Sequence, residues 1–169
     1  MSSQKKYRTG IVPGSFDPIT RGHLDIIKRA SQLCDKVYVA VMINDAKKYM
    51  FSIEERTRIV AAACKGIENA EVISSTGMLY ELADRLSANA IIKGVRNEID
   101  RAYELEMAKF NEEHCPAAKT VLLDADKTLD TISSTLVREK ILSGDDIFDI
   151  VPDEACEEIK NITLKAAKI

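Results

Sequence analysis

Two histidines and four cysteines are all the metal-binding side chains of the zinc type that this 169-residue chain carries. The cysteines, Cys34, Cys64, Cys115 and Cys156, are widely spaced and form no C-x-x-C pair. That excludes the usual Cys/His zinc patterns. Buried free thiols in a reducing compartment are expected instead. Net charge is −3, so a generally basic surface is missing and no nucleic-acid partner is expected. The longest plain apolar run, "VYVAVMI" at 37–43, is too short to span a bilayer. The polar start "MSSQKKYR" lacks a following apolar segment of the secretory kind. No membrane contact and a cytoplasmic location are therefore expected. Neither G-x-G-x-x-G nor a Walker A sequence occurs, which argues against a standard dinucleotide or P-loop site. No linker, repeat or low-complexity tract divides the chain. One domain over 1–169 is expected, with 1–7 and about 161–169 as peripheral tails.

What is present is an alternation of short apolar runs and helical periodicities, with 46% hydrophobic and 30% charged residues to build it. Strands are expected at 9–14, 36–43, 70–75, 90–95 and 119–125. Helices are expected at 23–34, 52–64, 78–88, about 100–114, 133–142 and 153–168. Leu24, Ile27 and Leu33 should share a face of the first. Ser52 and Glu55 have capping-box spacing at the start of the second. Leu79, Leu82, Ala83 and Leu86 recur at i, i+3, i+4 and i+7 in the third. Five strands separated by helices imply right-handed crossovers, hence an α/β fold with a five-stranded parallel sheet covered on both faces. Ligands of such sheets bind beyond the carboxyl ends of the strands, where strand order reverses.

The strand-to-helix loops are accordingly the places to look, and four carry anion-binding groups. "GSFDPITRGH" (14–23) combines a glycine, a turn-forming Asp17-Pro18, a capping Thr20 and His23 in the first helical turn. "NDAKKYMF" (44–51) brings Lys47 and Lys48. "IIKGVRNEID" (91–100) ends a buried strand in Lys93 and Arg96, a plausible phosphate clamp. "DTISSTLVRE" (130–139) sets Ser133, Ser134 and Thr135 at a helix start, with Arg138 one turn later. Each has a plain alternative: a capped helix with a surface histidine, solvated lysines, charges at a strand exit, an ordinary Ser/Thr cap. Their recurrence at one end of the sheet is what favours a site.

"GSFDPITRGH" resembles the T/H-x-G-H signature of the nucleotidyltransferase superfamily, and "ISSTLVR" its second signature. With "AKKYMFSIEER", "IIKGVR" and "YELEMA" in order and spacing, about residues 8–160 resemble the bacterial phosphopantetheine adenylyltransferases. The resemblance implies a Rossmann-like domain that transfers the adenylyl group of ATP to 4′-phosphopantetheine, giving dephospho-coenzyme A and pyrophosphate. It implies His23 as transition-state stabiliser, with Lys47 and Ser15 also in the catalytic set. It implies Ser15, Lys47, Leu79 and Lys93 at phosphopantetheine. At ATP it implies Ser15, Phe16, His23, Gly94, Val95, Arg96 and Glu104, with the loop Leu129, Asp130, Thr131, Ile132, Ser133, Ser134 and Thr135. It also implies Mg2+ held mainly by ATP phosphates and water, a homohexamer, and feedback by coenzyme A. The chain departs from the family pattern in four places. Ser15 stands for threonine, Lys93 for arginine, Arg21 for asparagine and Leu129 for a frequent aromatic. Alternatives are a cytidylyltransferase with another acceptor, or a nucleotide-binding regulatory module on the same fold.

Overall fold

The computed structural model describes residues 4–168. In chain order the elements are β1 (Tyr7–Gly14), α1 (Arg21–Leu33), β2 (Cys34–Met42), α2 (Ile53–Ala63), β3 (Ala70–Ser75) and α3 (Leu79–Arg85). There follow β4 (Ala90–Val95), α4 (Glu98–His114), β5 (Lys119–Asp124), α5 (Ser134–Ser143) and α6 (Asp153–Ala167). The five strands form one parallel sheet in the order β3-β2-β1-β4-β5, as the alternation of elements implied.

Side chains along each strand point alternately to the two faces. Val12, Val37, Val39, Val41, Ala90 and Ile92 pack on one face with Ile27 of α1, Ile59 of α2 and Ile159 of α6. Ile11, Ala40 and Ile91 pack on the other with Leu82 and Ala83 of α3. Burial on both faces is why the inner strands read as unbroken apolar runs.

The expected α1 face needs correction. Ile26, Ile27 and Ala30 are its buried residues, while Leu24 and Leu33 are only partly covered. Helix α3 ends at Arg85, short of the expected 88. Ser87 turns into the left-handed region at φ 51°, and the Ala88 N–H closes back on the Ala83 carbonyl at 2.9 Å. Helix α4 starts at Glu98, because Asn97 caps it by accepting from the Asp100 N–H at 2.9 Å. The α2 box forms as its spacing implied: Ser52 Oγ accepts from the Glu55 N–H, and Glu55 accepts from the Ser52 N–H. Helix α6 still buries Ile162, inside the stretch expected to be peripheral. Residues 1–3 and 169 lie outside the described ones. All four cysteines are free and buried, and burial pushes the thiols of Cys34 and Cys64 up to about 11. No helix among the described residues is long and apolar enough to cross a membrane.

Candidate active site

Strand order reverses between β1 and β4. These two strands pair only through Gly10–Ala90 and Ile11–Ile91. Beyond those rungs they part, and Pro13, which has no N–H to offer a ladder, lies in the parted stretch. A cavity of about 730 Å3 opens in the split, floored by Val12–Gly14 and Ile92–Gly94. All four loops singled out in the sequence reach it.

The first loop shapes the helix entrance. Thr20 is the N-cap of α1 and accepts from the His23 N–H at 3.2 Å. His23 Nδ1 in turn accepts from the Thr20 N–H at 3.1 Å. The pair is a capping box in which an imidazole does what a Glu or Gln usually does. An accepting Nδ1 requires the neutral ring to carry its proton on Nε2, on the far side of the ring from Thr20. Burial in the wall, with a smaller contribution from the Arg96 charge, lowers the His23 pKa to about 4. The ring is therefore neutral at pH 7 and a donor through one nitrogen. Phe16 meets it edge-on, ring centres 5.1 Å apart, from a left-handed backbone at φ 48°.

The second loop is fixed by two buried charges. Asp17 accepts from the Met50 and Phe51 N–H groups at 2.9 and 3.0 Å. Arg56, 1% exposed, donates to the carbonyls of Phe51, Ser15 and Met42. Lys47 and Lys48 line the cavity, and neither forms an ion pair among the described residues.

At the third loop, Lys93 Nζ lies 2.8 Å from Glu104 Oε2. That oxygen is buried and has no other polar partner among the described residues. Arg96 Nε donates to Asp100 at 3.2 Å, one helical turn on. Gly94 permits the close approach of α1, since a Cβ there would sit 2.9 Å from Ile26 Cγ1.

The fourth loop differs from expectation. The hydroxyls of Ser133, Ser134 and Thr135 are engaged by the protein. Ser133 caps α5 by accepting from the Leu136 N–H, Ser134 donates to the Pro18 carbonyl, and Thr135 accepts from Arg138. The ordinary cap reading holds for Ser133. The anion-binding capacity of this helix start rests on its backbone N–H groups, which have no carbonyl four residues back inside the helix. Arg138 also holds the Asp17 carbonyl at 2.8 Å, tying α5 to the first loop.

The cavity thus gathers Ser15, Phe16, His23, Lys47, Lys93, Gly94, Arg96, Glu104, Leu129, Ile132, Ser133, Ser134 and Thr135. It does not take in Leu79, Val95, Asp130 or Thr131. Leu79 packs beside the core on the α3 side, and Val95 is buried at the end of β4. Arg21 turns away from the cavity to the Phe148 carbonyl and Asp153. Sequence reasoning missed Tyr49, Asp100 and Tyr103 in the walls and Arg56 behind them. Arg56 had a signal: it shares the i, i+3, i+4, i+7 face with Ile59, Val60 and Ala63, a core position for a charge. Five cations, Lys47, Lys48, Lys93, Arg96 and Arg138, face three carboxylates, Asp17, Asp100 and Glu104. The cavity is net positive in a chain of charge −3.

Residues 11–140 match the family model described as cytidylyltransferase-like. A phosphopantetheine adenylyltransferase of Clostridium botulinum is 41% identical over 153 residues, covering 90% of this chain and 93% of that one. One from Caldanaerobacter subterraneus subsp. tengcongensis is 43% identical over 152 residues, covering 90% and 95%. Among solved structures, a Vibrio parahaemolyticus chain assigned as a nicotinate-nucleotide adenylyltransferase superposes with a TM-score of 0.70 at 21% identity, over 94% of this chain and 93% of that one. That likeness concerns the fold.

Proposed function

The chain belongs to the phosphopantetheine adenylyltransferases within the cytidylyltransferase-like family, and from that premise we propose how its cavity carries out the reaction. The enzyme transfers the adenylyl group of ATP to 4′-phosphopantetheine, giving dephospho-coenzyme A and pyrophosphate. The observation that carries the reading of the site is the convergence of strand-end cations and two helix starts on one cavity at the β1/β4 split.

The substrate phosphate attacks the α-phosphorus of ATP in line, and pyrophosphate leaves. No protein nucleophile takes part, so rate enhancement comes from positioning two polyanions and neutralising their charge. Lys47 would hold the attacking phosphate from one side and Lys93 from the other. Lys93 is oriented by its ion pair with Glu104, which replaces some of the directionality lost with the arginine fork. The neutral His23 would donate from Nε2 to a non-bridging oxygen as charge grows there. The N–H groups at the start of α5, with Arg96 and Arg138, would face the triphosphate. Phe16, Gly94 and the 129–135 loop would border the nucleotide. Ser15, between the two subsites, would touch both substrates.

Mg2+ would neutralise triphosphate charge. The three cavity carboxylates are already engaged by Arg138 and two N–H groups, by Arg96 and by Lys93. Among the described residues no acidic or Cys/His cluster offers a cage, so phosphate and water oxygens would supply most ligands. Coenzyme A, which retains the pantetheine arm, would compete for the same cavity as a feedback ligand. Ile99, Leu105 and Phe110 on α4 are 82%, 49% and 37% exposed. Apolar exposure of that kind supports an assembly of copies, as the homohexamer.

The deciding assay supplies 4′-phosphopantetheine with ATP or with CTP and measures pyrophosphate. Release with ATP, dependent on phosphopantetheine, is expected. Equal release with CTP would point to the cytidylyltransferase alternative.

A further inference from the structure

The cavity lysines sit on a turn with little packing of its own, yet the turn is tied to a charge buried in the helix that follows it, α2. Lys47 donates its N–H to the Asn44 carbonyl at 2.9 Å. The Asn44 N–H donates to the Tyr49 hydroxyl at 2.7 Å, and that hydroxyl reaches back to the Asn44 carbonyl at 3.3 Å. The Tyr49 ring lies on the Arg56 guanidinium, 3.8 Å from ring centre to Cζ. Arg56 is fixed by the carbonyls of Ser15 at 2.7 Å, Met42 at 3.1 Å and Phe51 at 3.2 Å. Asp17 holds the other side of the same strap through the Met50 and Phe51 N–H groups.

Arg56 has no carboxylate partner among the described residues, and burying a guanidinium is costly where an aliphatic side chain would fill the same core position. The arrangement serves geometry: one planar cation ties the end of β1, the end of β2 and the lysine turn together. We infer that Arg56 and Tyr49 are positioning residues, which set the distance between Lys47 and Ser15 and so the placement of the attacking phosphate. This rests on the reading above that Lys47 binds that phosphate.

A planar fork stacked on a ring is not replaced by an ammonium. Misplacing a reactant by about 1 Å costs on the order of 10²-fold in rate. Arg56→Lys is accordingly expected to lower kcat/KM by about that factor. Tyr49→Phe keeps the ring on Arg56 and frees only the turn. It should weaken phosphopantetheine binding severalfold while ATP affinity, titrated separately, stays unchanged.

The discriminating measurement is a double-mutant cycle. If Tyr49 acts through Lys47, Tyr49→Phe combined with Lys47→Ala binds phosphopantetheine no more weakly than Lys47→Ala alone. Additive losses, or equal losses of ATP and phosphopantetheine affinity in Tyr49→Phe, overturn the inference. Undiminished phosphopantetheine binding by Lys47→Ala overturns the assignment of Lys47 itself and this inference with it. Should Arg56→Lys fail to fold, the Tyr49→Phe cycle decides alone.

Discussion

His23 has two jobs on two ring nitrogens, and two substitutions separate them. Nδ1 completes the capping box of α1 by accepting from the Thr20 N–H. Nε2 is the donor proposed to meet the developing charge. His23→Ala removes both. Thr20 still caps the backbone in that variant, so what is lost is the hydrogen bond from the Thr20 N–H, at a cost of ~1 kcal/mol. For a chain of this size that lowers Tm by about 2–4 °C. Loss of one oxyanion-type donor costs ~10²–10³ in kcat. His23→Gln removes the imidazole donor, but its amide oxygen at the third helical position can still accept from the Thr20 N–H, the usual arrangement of such a box. Thermal unfolding and pyrophosphate release, measured on both variants, should therefore diverge. The Gln variant melts near the parent and is as slow as the Ala variant, while the Ala variant is slow and also less stable. Near-normal kcat in His23→Ala would refute the catalytic role. Equal Tm in the parent and His23→Ala would refute the stabilising role of Nδ1 in the box.

The lowered pKa of His23 has a sign that nuclear magnetic resonance can check. The folded ring stays neutral as pH falls through 6.5 and protonates only near 4, so its resonances should hold steady until then. In that window the unfolded chain binds the proton and the folded one does not, so His23 makes stability fall with pH; titration near 6.5 would show that the ring is not buried as described. Lys93→Arg retains the charge beside Glu104 and is expected to stay active, with kcat/KM within about tenfold; complete loss in a steady-state assay would mean the substrate phosphate lies elsewhere. Gly94→Ala should cost ~1–3 kcal/mol by pressing on Ile26, and Ile26→Val in the same chain should recover part of it in denaturant melts. A thiol reagent should react with the four buried cysteines only after denaturation, and rapid labelling of the native protein would contradict their burial.

Much of the fold was legible because its causes are local. Short apolar, β-branched runs marked the strands, and alternation with helices implied the parallel sheet. The Ser52–Glu55 box was readable from spacing alone. Boundaries shifted where a single residue decided them, as with Asn97 at the start of α4 and Ser87 at the end of α3. The site was legible in part. His23, Lys47, Lys93 and Arg96 were found because charged or polar groups at strand ends have few other reasons to recur there. Leu79, Val95, Asp130 and Thr131 followed the family pattern and lie off the cavity walls. The serine hydroxyls of the last loop looked free, and their partners, Leu136 and Pro18, could not be chosen without coordinates.

The sequence by itself determined the order of elements, the doubly covered sheet and the set of groups available to hold two polyanions. These depend on periodicity and on residue type, which neighbours in the chain reveal. Only the tertiary structure decided how those groups are used. It placed the parting of β1 from β4, which makes the cavity, and the pairing of Lys93 with Glu104 eleven residues later. It set the tautomer of His23 through a hydrogen bond to Thr20. It also brought Arg56 under Ser15, 41 residues away in the chain. Such contacts depend on distance in space, and a linear pattern encodes which residues are buried far better than which of them meet.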